Sequence, residues 1–194
     1  FLKEDYNKAQ KYFERLNRPS KHNVAYKNLL ENILLSWSYA AQNNKEKSSH
    51  YYNKINNQYY PLKKIQNSFL QCYFNNPKAE DSFKELVNDK DYVFSRYNFF
   101  LGNYFLHKNA NQKAKEIILK SSKSYNSNVL LKQTKKFILD KDFKKITTFF
   151  NCKNAKENIA EIFYVLANLS SSENEYKISN FYLNISLFLN NKFT

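Results

Sequence analysis

One glycine in 194 residues narrows the folds open to this chain more than any other feature. Tight hairpin turns need backbone conformations that glycine adopts most freely, and all-β folds need such turns at regular spacing. With only 3 Pro as well, the usual punctuation of a β-sandwich or barrel is missing. Helices joined by short polar turns need neither residue. Asn and Ser end helices by bonding to their own backbone, and Asn occurs 29 times here. Hydrophobic residues make up 42% of the chain, enough for a core, and 17 Phe and 16 Tyr dominate it. The expected class is all-α.

Apolar periodicity places helices near 5–16, 23–42, 46–57, 60–75, 78–88, 91–108, 111–124, 129–139, 155–170 and 174–190. Polar turns fall between them at 17–20, 43–44, 75–77, 108–109, 124–128 and 170–173. The segment 97–106 is apolar nearly all round, which suits a helix sandwiched between neighbours. No window approaches the roughly 18 uncharged apolar residues of a membrane span. A chain that opens on Phe1 and contains 0 Met reads as a fragment or a processed product, which leaves the compartment, cytoplasmic or periplasmic, open.

A short signature recurs on the helical pattern. Leu35-Ser36, Leu101-Gly102 and Leu166-Ala167 each join a large apolar residue to a small one. Their two spacings are nearly equal, each close to twice a period of roughly 33–34 residues. Twelve residues beyond each small residue stands another, Ser48, Ala114 and Ser179. Four further on stands a large one, Tyr52, Ile118 and Leu183. Two antiparallel helices approach closely only where small side chains let the backbones meet. One such pair cannot bury its apolar face alone, so pairs must stack.

On these residues the chain resembles the tetratricopeptide repeat, whose pattern sets a large-small pair in the first helix and small residues in the second. The closest copy is 95–128, through Leu101, Gly102, Phe105, Ala114, Ile118 and Ser121; Asn98 and Asn126 stand where the family has Trp and Pro. The final pair, 159–193, resembles segments of long bacterial proteins of this family. The resemblance implies a right-handed α-α superhelix, a solenoid of stacked helix pairs. It divides the chain into repeats over 1–128, an irregular connector over 129–154 and a last repeat over 155–194.

It also implies a function. In such arrays the first helix of each pair lines a concave face where a peptide or protein partner binds. Phe99 with Asn103, and Tyr164 with Asn168, set an aromatic ring one helical turn from an amide, and Ile33 and Trp37 take those places in the first copy. An amide can hold a peptide backbone while the ring packs on its side chains. Trp37 also reads as a core residue. Arg96 and His107 belong near the same face, either recognising an acidic group or standing there as ordinary solvated or locally paired side chains.

The formal charge is +14, but only Arg15, Arg18 and Arg96 among the basic residues are arginines. Joint enrichment in Lys, Asn, Tyr, Phe and Ile is what an AT-rich genome produces unselected; a nucleic-acid surface or an acidic partner is the functional reading. Ten lysines lie between 113 and 145. If they bind nucleic acid, affinity falls steeply with salt. Cys72 and Cys152 lack CxxC spacing and read as two buried thiols, with a disulfide as the alternative. No metal-ligand spacing, glycine-rich phosphate loop or nucleophile set is recognisable. The expectation is a scaffold without catalysis or cofactor.

Overall fold

Asparagine in the left-handed backbone region closes most of the helical hairpins. The computed structural model describes residues 5–16 and 27–192, and among these eleven α-helices account for nearly all regular structure. They are α1 (Tyr6–Leu16), α2 (Lys27–Ala41), α3 (Lys45–Asn53), α4 (Tyr60–Tyr73), α5 (Ala79–Val87), α6 (Tyr97–His107), α7 (Asn111–Ser124), α8 (Val129–Leu139), α9 (Phe143–Phe149), α10 (Ala155–Ser172) and α11 (Tyr176–Leu189). The turn expected at 17–20, and the start of the second helix at 23, lie outside the described residues.

Each even-numbered helix ends on a residue with positive φ: Asn43, Asn75, Asn109, Lys141 and Asn174. The next backbone N–H then reaches back five residues, as from Asn44 to Tyr39, Asn76 to Gln71, Ala110 to Phe105, Asp142 to Phe137 and Glu175 to Ser170, at 2.8–2.9 Å. This closure satisfies carbonyls that the helix end would leave bare, and Asn tolerates it better than other non-glycine residues. The closures recur at a near-constant interval of roughly 33 residues. Seven residues before each lies a small buried side chain or none: Ser36, Ser68, Gly102, Thr134 and Ala167. The period read from three copies therefore extends to five hairpins, α2/α3 through α10/α11.

Residues 129–154, expected as an irregular connector, form the fourth hairpin. Asp142 caps α9 by accepting from Lys145 N–H at 3.0 Å. Two features hid this helix: Lys141 holds the left-handed position that Asn marks elsewhere, and buried Ile146 stands where other copies carry a small residue. The helix expected from 91 begins only at Tyr97. Before it, the Asp89 carboxylate accepts from the N–H groups of Asp91 and Tyr92 and pairs with Lys64, which folds 89–92 into a turn.

Helix α6 is the hub, with nine of its eleven residues buried, as its all-round apolar pattern requires. It packs against α5, α7, α8 and α9. The ring of Phe150, just beyond α9, meets Phe100 at 4.7 Å and Phe69 of α4 at 5.4 Å. The last hairpin does not rest only on its sequence neighbour: α10 packs against α2. Between the same distant parts of the chain, Cys72 at the end of α4 forms a disulfide with Cys152, just before α10. The two cysteines are therefore not the separate buried thiols expected from their spacing. No cysteine among the described residues is free, and the alternative, the disulfide, is what forms. Among the described residues no helix is long and apolar enough to cross a membrane.

Gly102 shows how tight the hairpin contact is. A Cβ built there would lie 2.7 Å from Ile118 Cδ1 and 2.8 Å from Cγ1, and Ile118 is fully buried. In an open helix Gly→Ala would gain about 1 kcal/mol. Overpacking costs about 1–3 kcal/mol and prevails in this core, so Gly102→Ala is expected to destabilise the chain by about 1 kcal/mol in urea unfolding. Adding Ile118→Val removes Cδ1 and is expected to recover part of that loss. A stabilising Gly102→Ala would refute the contact.

Candidate partner-binding cleft

The eight residues expected on a binding face separate into three environments. Ile33, Trp37, Phe99 and Asn103 are buried, with at most 1% exposure, and the described chain itself covers them. Trp37 is the core residue of its two readings: its indole N–H donates to Gln66 Oε1 at 2.6 Å and its ring meets Tyr73 edge-on. Asn103 has a structural task that its spacing could not reveal. Its side-chain N–H donates to the carbonyl of Ile146 at 3.1 Å, one of the four carbonyls that the end of α9 leaves open. Asn190 does the same for Phe149.

His107 is exposed, and its Nε2 lies 3.0 Å from the carbonyl of Phe150, so it ties α6 to the segment after α9.

The remaining three residues come together. Arg96, at the start of α6, donates through Nε to Glu161 Oε1 at 2.9 Å and through Nη2 to Oε2 at 2.9 Å. Glu161, on α10, has a fully buried side chain. Of the two readings for Arg96, local pairing is the one seen. The pairing is bidentate, which suits a planar guanidinium. The guanidinium also stacks over the Tyr164 ring at 3.9 Å. Burial opposes the charge on Arg96, but the Glu161 carboxylate outweighs it and raises the arginine above its usual pKa. Beside the pair, burial and the same carboxylate push the Tyr97 phenol well up, so it stays protonated.

Asn168 is exposed one turn from Tyr164, and its N–H donates back to the Tyr164 carbonyl at 2.8 Å. Arg96, Tyr164 and Asn168 line a cleft of about 440 Å³ with Asn128, Gln133 and Lys192, contributed by α8, its cap and the chain after α11. Asn128 is the N-cap of α8, accepting from Leu131 N–H. The cleft offers amides, one partly exposed aromatic face, a guanidinium whose charge is already balanced, and the Lys192 ammonium, which lies 3.8 Å from the Glu157 carboxylate. That chemistry suits neutral polar groups, such as a peptide backbone, better than a lone anion.

Glu161 was not among the expected residues. Its signal was an acid inside an apolar run, Ala160-Glu161-Ile162, standing two repeat periods after Arg96. Comparison with protein-family models, curated proteins and solved structures finds no match.

Proposed function

We propose that the chain is a non-catalytic scaffold of five stacked helix pairs, similar to a tetratricopeptide-repeat array, that holds an extended peptide or protein segment in the Arg96–Tyr164–Asn168 cleft. The arrangement is a curved superhelix whose inner face is largely covered by its own last pair. The packing of α10 on α2 and the burial of Ile33, Trp37, Phe99 and Asn103 support that reading. Partner recognition therefore moves from the centre of the groove to its flank. The observation that carries it is the convergence of three expected binding residues, from helices two repeat periods apart, on one open cleft.

Peptides selected from a random display library against the immobilised chain test this. Tyr164→Ala with Asn168→Ala is expected to weaken the selected peptides ~10-fold or more, while the parent's helical circular dichroism is kept. Peptides that bind the double variant as well as the parent, or a library that yields none, would reject the cleft.

One observation favours a second reading. Of the ten lysines between 113 and 145, all but Lys135 are exposed, on helices α7, α8 and α9, which pack in succession, and on the turn that joins the last two. A nucleic-acid surface there would show retention on DNA or RNA that falls steeply as salt rises.

A further inference from the structure

We propose that the Cys72–Cys152 bridge is a thiol-exchange site, opened in the folded chain by small anionic thiols that enter the cavity beside it. A disulfide exchanges only where a thiolate can reach one of its sulfurs. Here both cysteines line a cavity of about 200 Å³, set between the end of α4, the end of α6 and the segment before α10. A cavity of roughly 150 Å³ holds benzene, so a two-carbon thiol fits. Neither cysteine is fully sealed: Cys72 keeps 4% of its surface exposed and Cys152 8%.

Charge selects the thiol. Lys108 and Lys153 line the same cavity, and no carboxylate does. Both ammonium groups are held to the chain just after Cys72. Lys153 donates to the Tyr73 carbonyl at 2.7 Å and Lys108 to Asn75 Oδ1 at 3.0 Å. An ammonium has three N–H donors, so each keeps donors for an incoming anion. Burial and the Lys108 charge both hold Lys153 below its usual pKa, so the two cations repel each other. An anion between them relieves that repulsion. Of the two acids that follow Ala79 in the cavity wall, Glu80 is paired with Lys84 and Lys113, and Asp81 is exposed.

The chemistry is an exchange in two steps. The entering thiolate bonds to one bridge sulfur, the S–S bond breaks, and its electron pair leaves on the other cysteine as a thiolate, which nearby cations stabilise. A second thiolate then displaces the first from the mixed disulfide. Two small thiols are oxidised to their disulfide and the bridge is reduced to two cysteine thiols, so electrons and protons balance. The bridge joins the end of α4 to the start of the last hairpin. Its exchange therefore makes the hold on α10 respond to the thiols around the chain.

Reduction of the folded chain by mercaptoethanesulfonate (anionic), mercaptoethanol (neutral) and cysteamine (cationic) is the test, read by alkylation and mass spectrometry. Each rate is divided by the same thiol's rate on hydroxyethyl disulfide, which removes intrinsic reactivity. The expected rates are proportional to thiol concentration and unchanged by ~0.5 M urea. At ~20 mM salt the anionic thiol should be ~10-fold faster than the neutral one, with cysteamine slowest, and ~500 mM salt should level them. Lys108→Gln with Lys153→Gln is expected to remove most of that preference. Lost stability in this variant would speed all three thiols alike, so their ratio still reads the charge. A rate that levels off with thiol concentration and rises with urea would overturn the proposal, because exchange then waits for unfolding. So would equal corrected rates, a preference that survives in the double variant, or a starting chain without the bridge.

Discussion

Reduction of the Cys72–Cys152 bridge is expected to lower the stability of this chain by about 4.5 kcal/mol and its melting temperature by about 10 °C. The first figure follows from the 80-residue separation of the two cysteines, because a long closed loop removes much of the freedom of the unfolded chain. The bridge also acts on the folded state. It joins the end of α4 to the start of the last hairpin, beside the Lys153 ammonium, which donates to the Tyr73 carbonyl at 2.7 Å. Cys72→Ala with Cys152→Ala should reproduce the effect of a reductant, and the dependence of unfolding on urea should steepen as the unlinked chain exposes more surface. Hydrogen exchange should rise first at the start of α10. Equal melting with and without reductant would mean that the bridge does not form. Such bonds persist in oxidising compartments, so a chain held in a reducing one should behave as the double Ala variant does.

The parts of this fold that local chemistry determines could be read from the residues. Turn positions followed from Asn at Asn43, Asn75 and Asn109, which each take the left-handed conformation that ends a helix, whereas the turn expected at 170–173 comes later, because α10 runs to Ser172 and Asn174 takes that conformation. The burial of α6 followed from its lack of a polar side. Lys141 and Ile146 broke both local rules at once, so the fourth hairpin went unread although its period is regular. The candidate site was less legible because its geometry depends on packing between distant segments. Phe99-Asn103 and Tyr164-Asn168 have the same spacing. Yet α6 is enclosed by four neighbours, so its pair is spent on the core and on the end of α9. The flank of α10 stays open, so its pair lines a cleft. Spacing within one helix tells which side chains share a face, but not what that face meets.

Breaking the Arg96–Glu161 pair from either side is expected to be the costliest single change near the cleft, about 3–5 kcal/mol for Arg96→Met. The size comes from what is left behind. The Glu161 side chain is fully buried and its two oxygens accept from Arg96 Nε and Nη2, so the variant strands a carboxylate away from water. Glu161→Met should cost a similar amount by stranding the guanidinium of a side chain that is only 16% exposed. Replacing both together should cost far less than the sum, since no unpaired charge then remains and two apolar side chains fill the space. Arg96→Lys should recover only part of the loss, because an ammonium cannot make the two parallel bonds or stack on the Tyr164 ring. A urea-unfolding double-mutant cycle measures all four states. Independent, additive losses would mean that the two charges do not depend on each other. A strong coupling would fix α6 against α10 as one rigid wall of the cleft. Peptide affinity should then fall in Arg96→Met and return when Glu161→Met is added, even though the guanidinium is gone. If affinity does not return, the guanidinium itself contacts the peptide.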